Sequence, residues 1–229
     1  MAKNLILENG AIARRGVLLQ GLGMAAYLGM PRSAAATEVC NASICDARIP
    51  STQFRHQGQP VNSVWCWAAT ISMICDWHGR TISQQDIVQQ CFGGIVNAPA
   101  DPFTLISSVN RSYVDVNGDS FSVGSQIWSV LHGLAQLNNF GIIQQLSLDK
   151  PLVVCNLSHM MVLVGVSYPR GTYAITEAWV ADPAFVGSVT QGIPGLAPLA
   201  PGFRYLYPAE LVPVPLGGQL TFVAALDVS

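Results

Sequence analysis

The sequence predicts an α+β fold in two lobes, and three observations carry that prediction. Apolar residues recur at helical spacing through much of the chain from about 57 to 147, strand-like apolar runs dominate from about 150 to 229, and a Pro- and Gly-rich stretch interrupts the second part. Helices gathered ahead of strands, rather than alternating with them, are the mark of an α+β arrangement.

Residues 1–36 stand apart from that fold. Arg14-Arg15 precede GVLLQGLGMAAYLGM, and Ser33-Ala34-Ala35-Ala36 follows, an Ala-x-Ala cleavage pattern ahead of Thr37. Basic segment, apolar segment and small-residue site together make a secretory signal. The apolar run is 15 residues long and interrupted by Gln20, short of the ~20 that span a bilayer. No stable membrane association is therefore expected once the signal is removed. The paired arginines resemble a twin-arginine export signal, and residues 37–229 form the expected mature domain.

In that domain the first element runs from about Cys66 to His78, with Trp67, Ile71, Ile74 and Trp77 on helical spacing and Gly79 as a stop. A second helix starts near Ser83, with Asp86 as capping partner, and ends at Cys91-Phe92-Gly93-Gly94. Asp101-Pro102 opens a third. Asn117-Gly118 lies between SYVDV and SFSV as a hairpin turn. A fourth helix is expected from Ser125 to about Leu137, with Ile127, Val130, Leu131 and Leu134 on one face. Strands follow at Pro151–Leu157, Met160–Tyr168, Tyr173–Ala181 and Leu220–Leu226, with Gly192–Gly218 irregular between the last two.

Composition narrows the function. After Ala36 seven Lys or Arg and twelve Asp or Glu remain, a net charge of −5. A phosphate-binding surface needs clustered cations, and without them nucleic acid is not an expected partner. All six cysteines (40, 45, 66, 75, 91 and 155) lie in the mature part. Export permits disulfides, but spacing does not give their connectivity.

Cys66 raises the chemical question. A thiol in the first turn of a helix sits at the positive end of the helix dipole, which favours thiolate. Cys75, nine residues on, faces ~180° away at 3.6 residues per turn. Taken alone, Cys66 is equally a bridging cysteine or a nucleophile. A nucleophilic thiol wants an imidazole and a third group to fix that ring. His78 is twelve residues down the same helix, ~18 Å away, and His132 falls in an amphipathic run. His56 sits in a loop ten residues before the thiol. His159 differs, because Asn156-Leu157-Ser158-His159 joins two apolar strands and a polar ring there must be hydrogen-bonded. Asp182, at the end of the next strand, is its natural acceptor if the two strands are antiparallel neighbours.

Gln59, Trp65-Cys66-Trp67-Ala68-Ala69, His159 and Asp182-Pro183 together resemble the papain-like cysteine peptidases, above all bacterial secreted members with a Trp-Cys-Trp-Ala-Ala core. The resemblance implies a helical N-terminal lobe with Cys66 at its helix N-terminus and an antiparallel β C-terminal lobe. It implies a Cys66–His159–Asp182 triad, with Gln59 as oxyanion donor and Gln57 as its rival. Peptide or protein would be the substrate, no metal or organic cofactor would be needed, and the location would be periplasmic or extracellular. The same triad serves deamidation or transpeptidation. A secreted binding module with an oxidised Cys66 is the reading from a different class.

Weaker signals point to structure. Asp115-Val116-Asn117-Gly118-Asp119 resembles half a calcium loop, but Ser120 and Gln126 stand where Gly and Glu belong. No Cys/His spacing matches a zinc site. Trp65 and Trp67 read as packing residues, and the Pro-rich stretch 193–215 as a surface connection.

Overall fold

The computed structural model describes residues 38–50, 52–99, 109–129, 137–157, 159–185 and 200–229, which belong to one compact unit. The fold mixes helices with one antiparallel sheet. No helix among the described residues is long and apolar enough to cross a membrane.

The chain enters through a hairpin of β1 (Glu38–Cys40) and β2 (Ile44–Arg48). The Asn41 carboxamide accepts the Ser43 and Ile44 N–H groups at its turn, and Cys40 and Cys45, partners in register, are joined by a disulfide.

Helix α1 (Cys66–Trp77) and helix α2 (Gln84–Phe92) fall where the periodicity places them. Ser83 caps α2 by accepting the Asp86 N–H, and Gly93 closes it at φ +71°. In α1 the run Trp67–Cys75 is buried throughout. Ala68 and Ala69 present no bulk, so the helix can pack closely on the sheet. Each fully buried Trp, Ile or Met there is worth roughly 1.5–3 kcal/mol of apolar burial. The expected helix at Asp101-Pro102 lies outside the described residues.

The Asn117-Gly118 turn joins β3 (Arg111–Val114) to β4 (Ser120–Ser129). Asp115 Oδ1 accepts the Asn117 and Asp119 N–H groups; its carboxylate serves the turn. The helix expected from Ser125 is not formed there. Residues 125–129 continue β4 and pair with β9 (Leu220–Val228), from Ser125↔Leu226 to Ser129↔Phe222. The register along β9 prevails over a local periodicity that fitted either structure. Residues 130–136, with His132, lie outside the described residues. Helix α3 (Asn139–Ser147), capped by the Asn138 side chain on the Gly141 N–H, was not anticipated.

β5 (Leu152–Asn156) and β6 (His159–Pro169) match their expected strands, whereas β7 is shorter, Glu177–Ala181. The stretch expected to be irregular contains β8 (Phe203–Tyr205), helix α4 (Pro208–Leu211) and a 3-10 turn at Val214–Leu216. The strands run β1-β2-β6-β5-β9-β4-β3. One edge of β6 is shared, its first half by β5 and its second by β2, while β7 takes the other edge and carries β8. Because β3 and β4 join this sheet through β9, the strands are not confined to residues after 150. The sheet draws on both halves of the sequence.

Candidate active site

Three elements end close together. α1 begins at Cys66, β6 begins at His159, and β7 runs antiparallel to β6 with Val162 opposite Ala181, so Asp182 emerges beside the start of β6. That is the neighbour relation which antiparallel pairing predicts.

Cys66 is half-buried, and the N-cap residue Trp65 contributes no capping hydrogen bond from its side chain among the described residues. First-turn N–H groups lack intrahelical acceptors, so this end of α1 offers donors and partial positive charge. The flanking tryptophans are anchored in packing roles. Trp65 Nε1 donates to the Val96 carbonyl at 2.8 Å and Trp67 Nε1 to the Ala98 carbonyl at 3.2 Å.

His159 Nε2 lies 2.6 Å from Asp182 Oδ1. The Cys66 thiol lies near enough to the ring for each to shift the other's ionisation; with Nε2 committed to Asp182, Nδ1 is the nitrogen left to serve it. Asp182 is 4% exposed. Its Oδ1 also accepts the Ala184 N–H at 2.9 Å, and its Oδ2 accepts Arg204 Nε at 2.6 Å. Two residues of the segment ahead of α1 hold the backbone here. His56 Nε2 donates to the Asp182 carbonyl at 2.8 Å, and the Gln59 N–H donates to the next carbonyl, Pro183, at 2.9 Å. The Asp182 N–H donates to Gly202, which has φ +84° and on which a Cβ would run into the His56 ring.

These contacts set the ionisation. Burial pushes the Cys66 thiol up, but the neighbouring His159 and the Met160 and Trp67 N–H groups together bring it below the ordinary thiol value. Burial opposes charge on His159 too, yet Asp182 and Cys66 raise it to about 9. Asp182, despite burial, is lowered to about 2 by His159, Arg204 and the Ala184 N–H. All three shifts favour thiolate, imidazolium and carboxylate together. The other thiols go the opposite way: burial raises Cys75 to about 12 and Cys155 to about 11, and raises Cys91 as well. Neither Cys66, Cys75 nor Cys155 is in a disulfide.

Gln59 and Gln57 are placed differently. Gln59 Nε2 donates to the Ser63 carbonyl at 2.8 Å, three residues before Cys66, which leaves its second amide hydrogen for another acceptor. Its Oε1 is buried with no partner among the described residues. Gln57 Oε1 instead accepts the Ser72 hydroxyl at 2.9 Å, ~9 Å along α1 from its start. His78 caps the far end of the helix, and burial lowers it first of all. Among the described residues, the one group of possible metal ligands is Glu38, Cys40 and Cys45, and both sulfurs are already bonded to each other.

Sequence reasoning did not pick out His56 as a contact of Asp182, nor Arg204, Glu210 and Asn156. Arg204 Nη1 and Nη2 meet the two Glu210 oxygens at 2.7 and 2.8 Å, and Asn156 Nδ2 donates to Glu210 at 2.6 Å. The one available signal was scarcity. Only 10% of residues are charged, so an Arg and a Glu within GFRYLYPAEL called for partners.

No protein-family model matches the sequence, and no curated protein matches it. Among solved structures the chain is similar to a double glycine motif protease from an AMS/PCAT transporter, a structure determined in complex with the leader peptide. The identity is 12% and the TM-score 0.38, over 83% of this chain and 96% of that one. Likeness at that level carries no argument about chemistry, which rests on the side chains themselves.

Proposed function

We propose that this chain is an exported papain-like cysteine peptidase that hydrolyses peptide bonds through Cys66, His159 and Asp182. The observation that supports it most is the single ring of His159, hydrogen-bonded to a buried carboxylate and close enough to a thiol at a helix N-terminus for the two to shift each other's ionisation. The Cys66 thiolate attacks the peptide carbonyl carbon, and the carbonyl π electrons move onto oxygen. The Gln59 amide and the Cys66 N–H receive that oxyanion. Imidazolium His159 gives its proton to the departing amine as the C–N bond breaks, leaving a thioester. Neutral His159 then takes a proton from water, whose oxygen attacks the thioester and releases Cys66 as thiolate. Asp182 holds the ring in the tautomer both steps require.

Residues 1–36 are the export signal in this reading, cut after Ala36. The Cys40–Cys45 disulfide a few residues beyond accords with an oxidising compartment. N-terminal sequencing of exported material should begin at Thr37-Glu38; a retained, membrane-bound N-terminus contradicts the signal assignment. The activity is tested by incubating the mature protein with a peptide library. Cleavage that disappears in Cys66→Ala supports the reading, and its persistence removes it.

A further inference from the structure

Behind His159 the polar contacts close into a ring. His159 Nε2 meets Asp182 Oδ1, and Asp182 Oδ2 meets Arg204 Nε at 2.6 Å. The Arg204 fork then grips both oxygens of Glu210, and Glu210 Oε1 accepts Asn156 Nδ2. Asn156 is the residue paired with His159 across the β5–β6 turn. The chain of contacts that leaves His159 through its side chain therefore returns to it through the backbone. Arg204 also donates to the Tyr205 carbonyl and contacts Met161 Sδ, each at 3.1 Å, and the Tyr207 N–H donates to Glu210 at 2.8 Å. No freedom of rotation is left to the guanidinium.

We propose that Arg204 and Glu210 are positioning residues for the Cys66–His159 pair: Arg204 fixes the plane of the Asp182 carboxylate so that Oδ1 faces the ring, and Glu210 fixes Arg204. A buried carboxylate holding only His159 would be free to turn about its Cβ–Cγ bond. Here both oxygens are committed, in a bridging geometry that a planar fork provides and an ammonium does not. The charge count agrees. Asp182 and Glu210 are balanced by Arg204 and a protonated His159, so the ring is neutral only with the imidazolium present. The charged or titratable groups around His159 are then Cys66 from α1, Asp182 from the end of β7, Arg204 from β8 and Glu210 from α4, with His56 on the Asp182 carbonyl.

The inference rests on the peptidase reading only in one of its two assays. The first readout is the pH dependence of Cys66 alkylation by iodoacetamide, which needs no substrate. The second is kcat and KM on a cleaved peptide. Arg204→Met/Glu210→Met removes one cation and one anion together and leaves no unpaired buried charge. It should stay folded, lose at least tenfold in kcat with KM within about twofold, and show the alkylation profile of a thiol less well paired, its onset moved up in pH. Arg204→Lys should recover only part of the loss. Glu210→Gln, close in shape, should give a smaller change of the same kind, three- to tenfold in kcat. A folded double variant, or Glu210→Gln, that keeps the parent alkylation profile and kcat overturns the proposal, since a purely structural network would move the melting temperature alone. If the parent cleaves no peptide, the peptidase reading fails, while the alkylation profiles still decide the positioning role.

Discussion

The carboxylate of Asp182 and the ring of His159 meet at 2.6 Å although 23 residues separate them in the chain. Their strands lie antiparallel, and each residue sits at the strand end nearest the start of α1. His159, so held, helps bring the half-buried Cys66 thiol below the ordinary thiol value.

Substitution of the histidines should separate their roles. His159→Ala should abolish turnover, whereas His78→Ala, at the opposite end of α1, should leave kcat within about twofold of the parent. Asp182→Ala should lower kcat less than His159→Ala does, because orientation is lost while the base remains. Steady-state kinetics on one peptide checks all three. Equal tolerance of His159→Ala and His78→Ala contradicts the assignment.

The pH dependence has a defined sign. His159 is raised above its ordinary 6.5 to about 9, so its contribution to stability is fully present below pH ~6.5 and is lost as pH rises through ~9. Asp182 is lowered from 3.8 to about 2; its contribution is present above pH ~4 and is lost as pH falls through ~2. The proposed mechanism requires Cys66 as thiolate with His159 protonated, so kcat/KM should form a bell whose alkaline limb lies near pH 9. A rate that keeps rising beyond pH 9 would mean a neutral thiol being deprotonated during attack.

The two glutamines should differ in what they cost. Gln59→Ala should reduce kcat by roughly 10²–10³ with little change in KM, the usual consequence of losing one oxyanion donor. Gln57→Ala loses a hydrogen bond to Ser72 and should lower stability by about 0.5–1.5 kcal/mol with kcat unchanged. The reverse pattern would exchange their roles.

How far the sequence discloses the site depends on the distance over which each contact acts. Cys66 is legible because a helix beginning with its own residue declares itself by local spacing, and Ser83 with Asp86 declares α2 in the same way. His159 and Asp182 are legible because two consecutive strands and one rule of antiparallel pairing bring them together. The helical reading fails at 125–129, Ile127 included, because the partner that makes this stretch a strand lies almost a hundred residues away in β9. α3 is announced in the sequence by little more than Asn138, its cap. Arg204 and Glu210 leave no periodic trace. They occupy a stretch shaped by prolines and glycines, and their partners Asp182, Met161 and Asn156 are reached only after the sheet has formed.

The central claim is that Cys66 alone among the thiols is poised as thiolate. Its most direct measurement is brief alkylation of the native mature protein near pH 6.5 with a small electrophile, followed by peptide mapping of the modified residue. The account predicts label on Cys66 and essentially none on Cys75, Cys91 or Cys155, with the Cys66 signal lost in His159→Ala at that pH. Label spread evenly over the four, or Cys66 recovered in a disulfide from active protein, would contradict it.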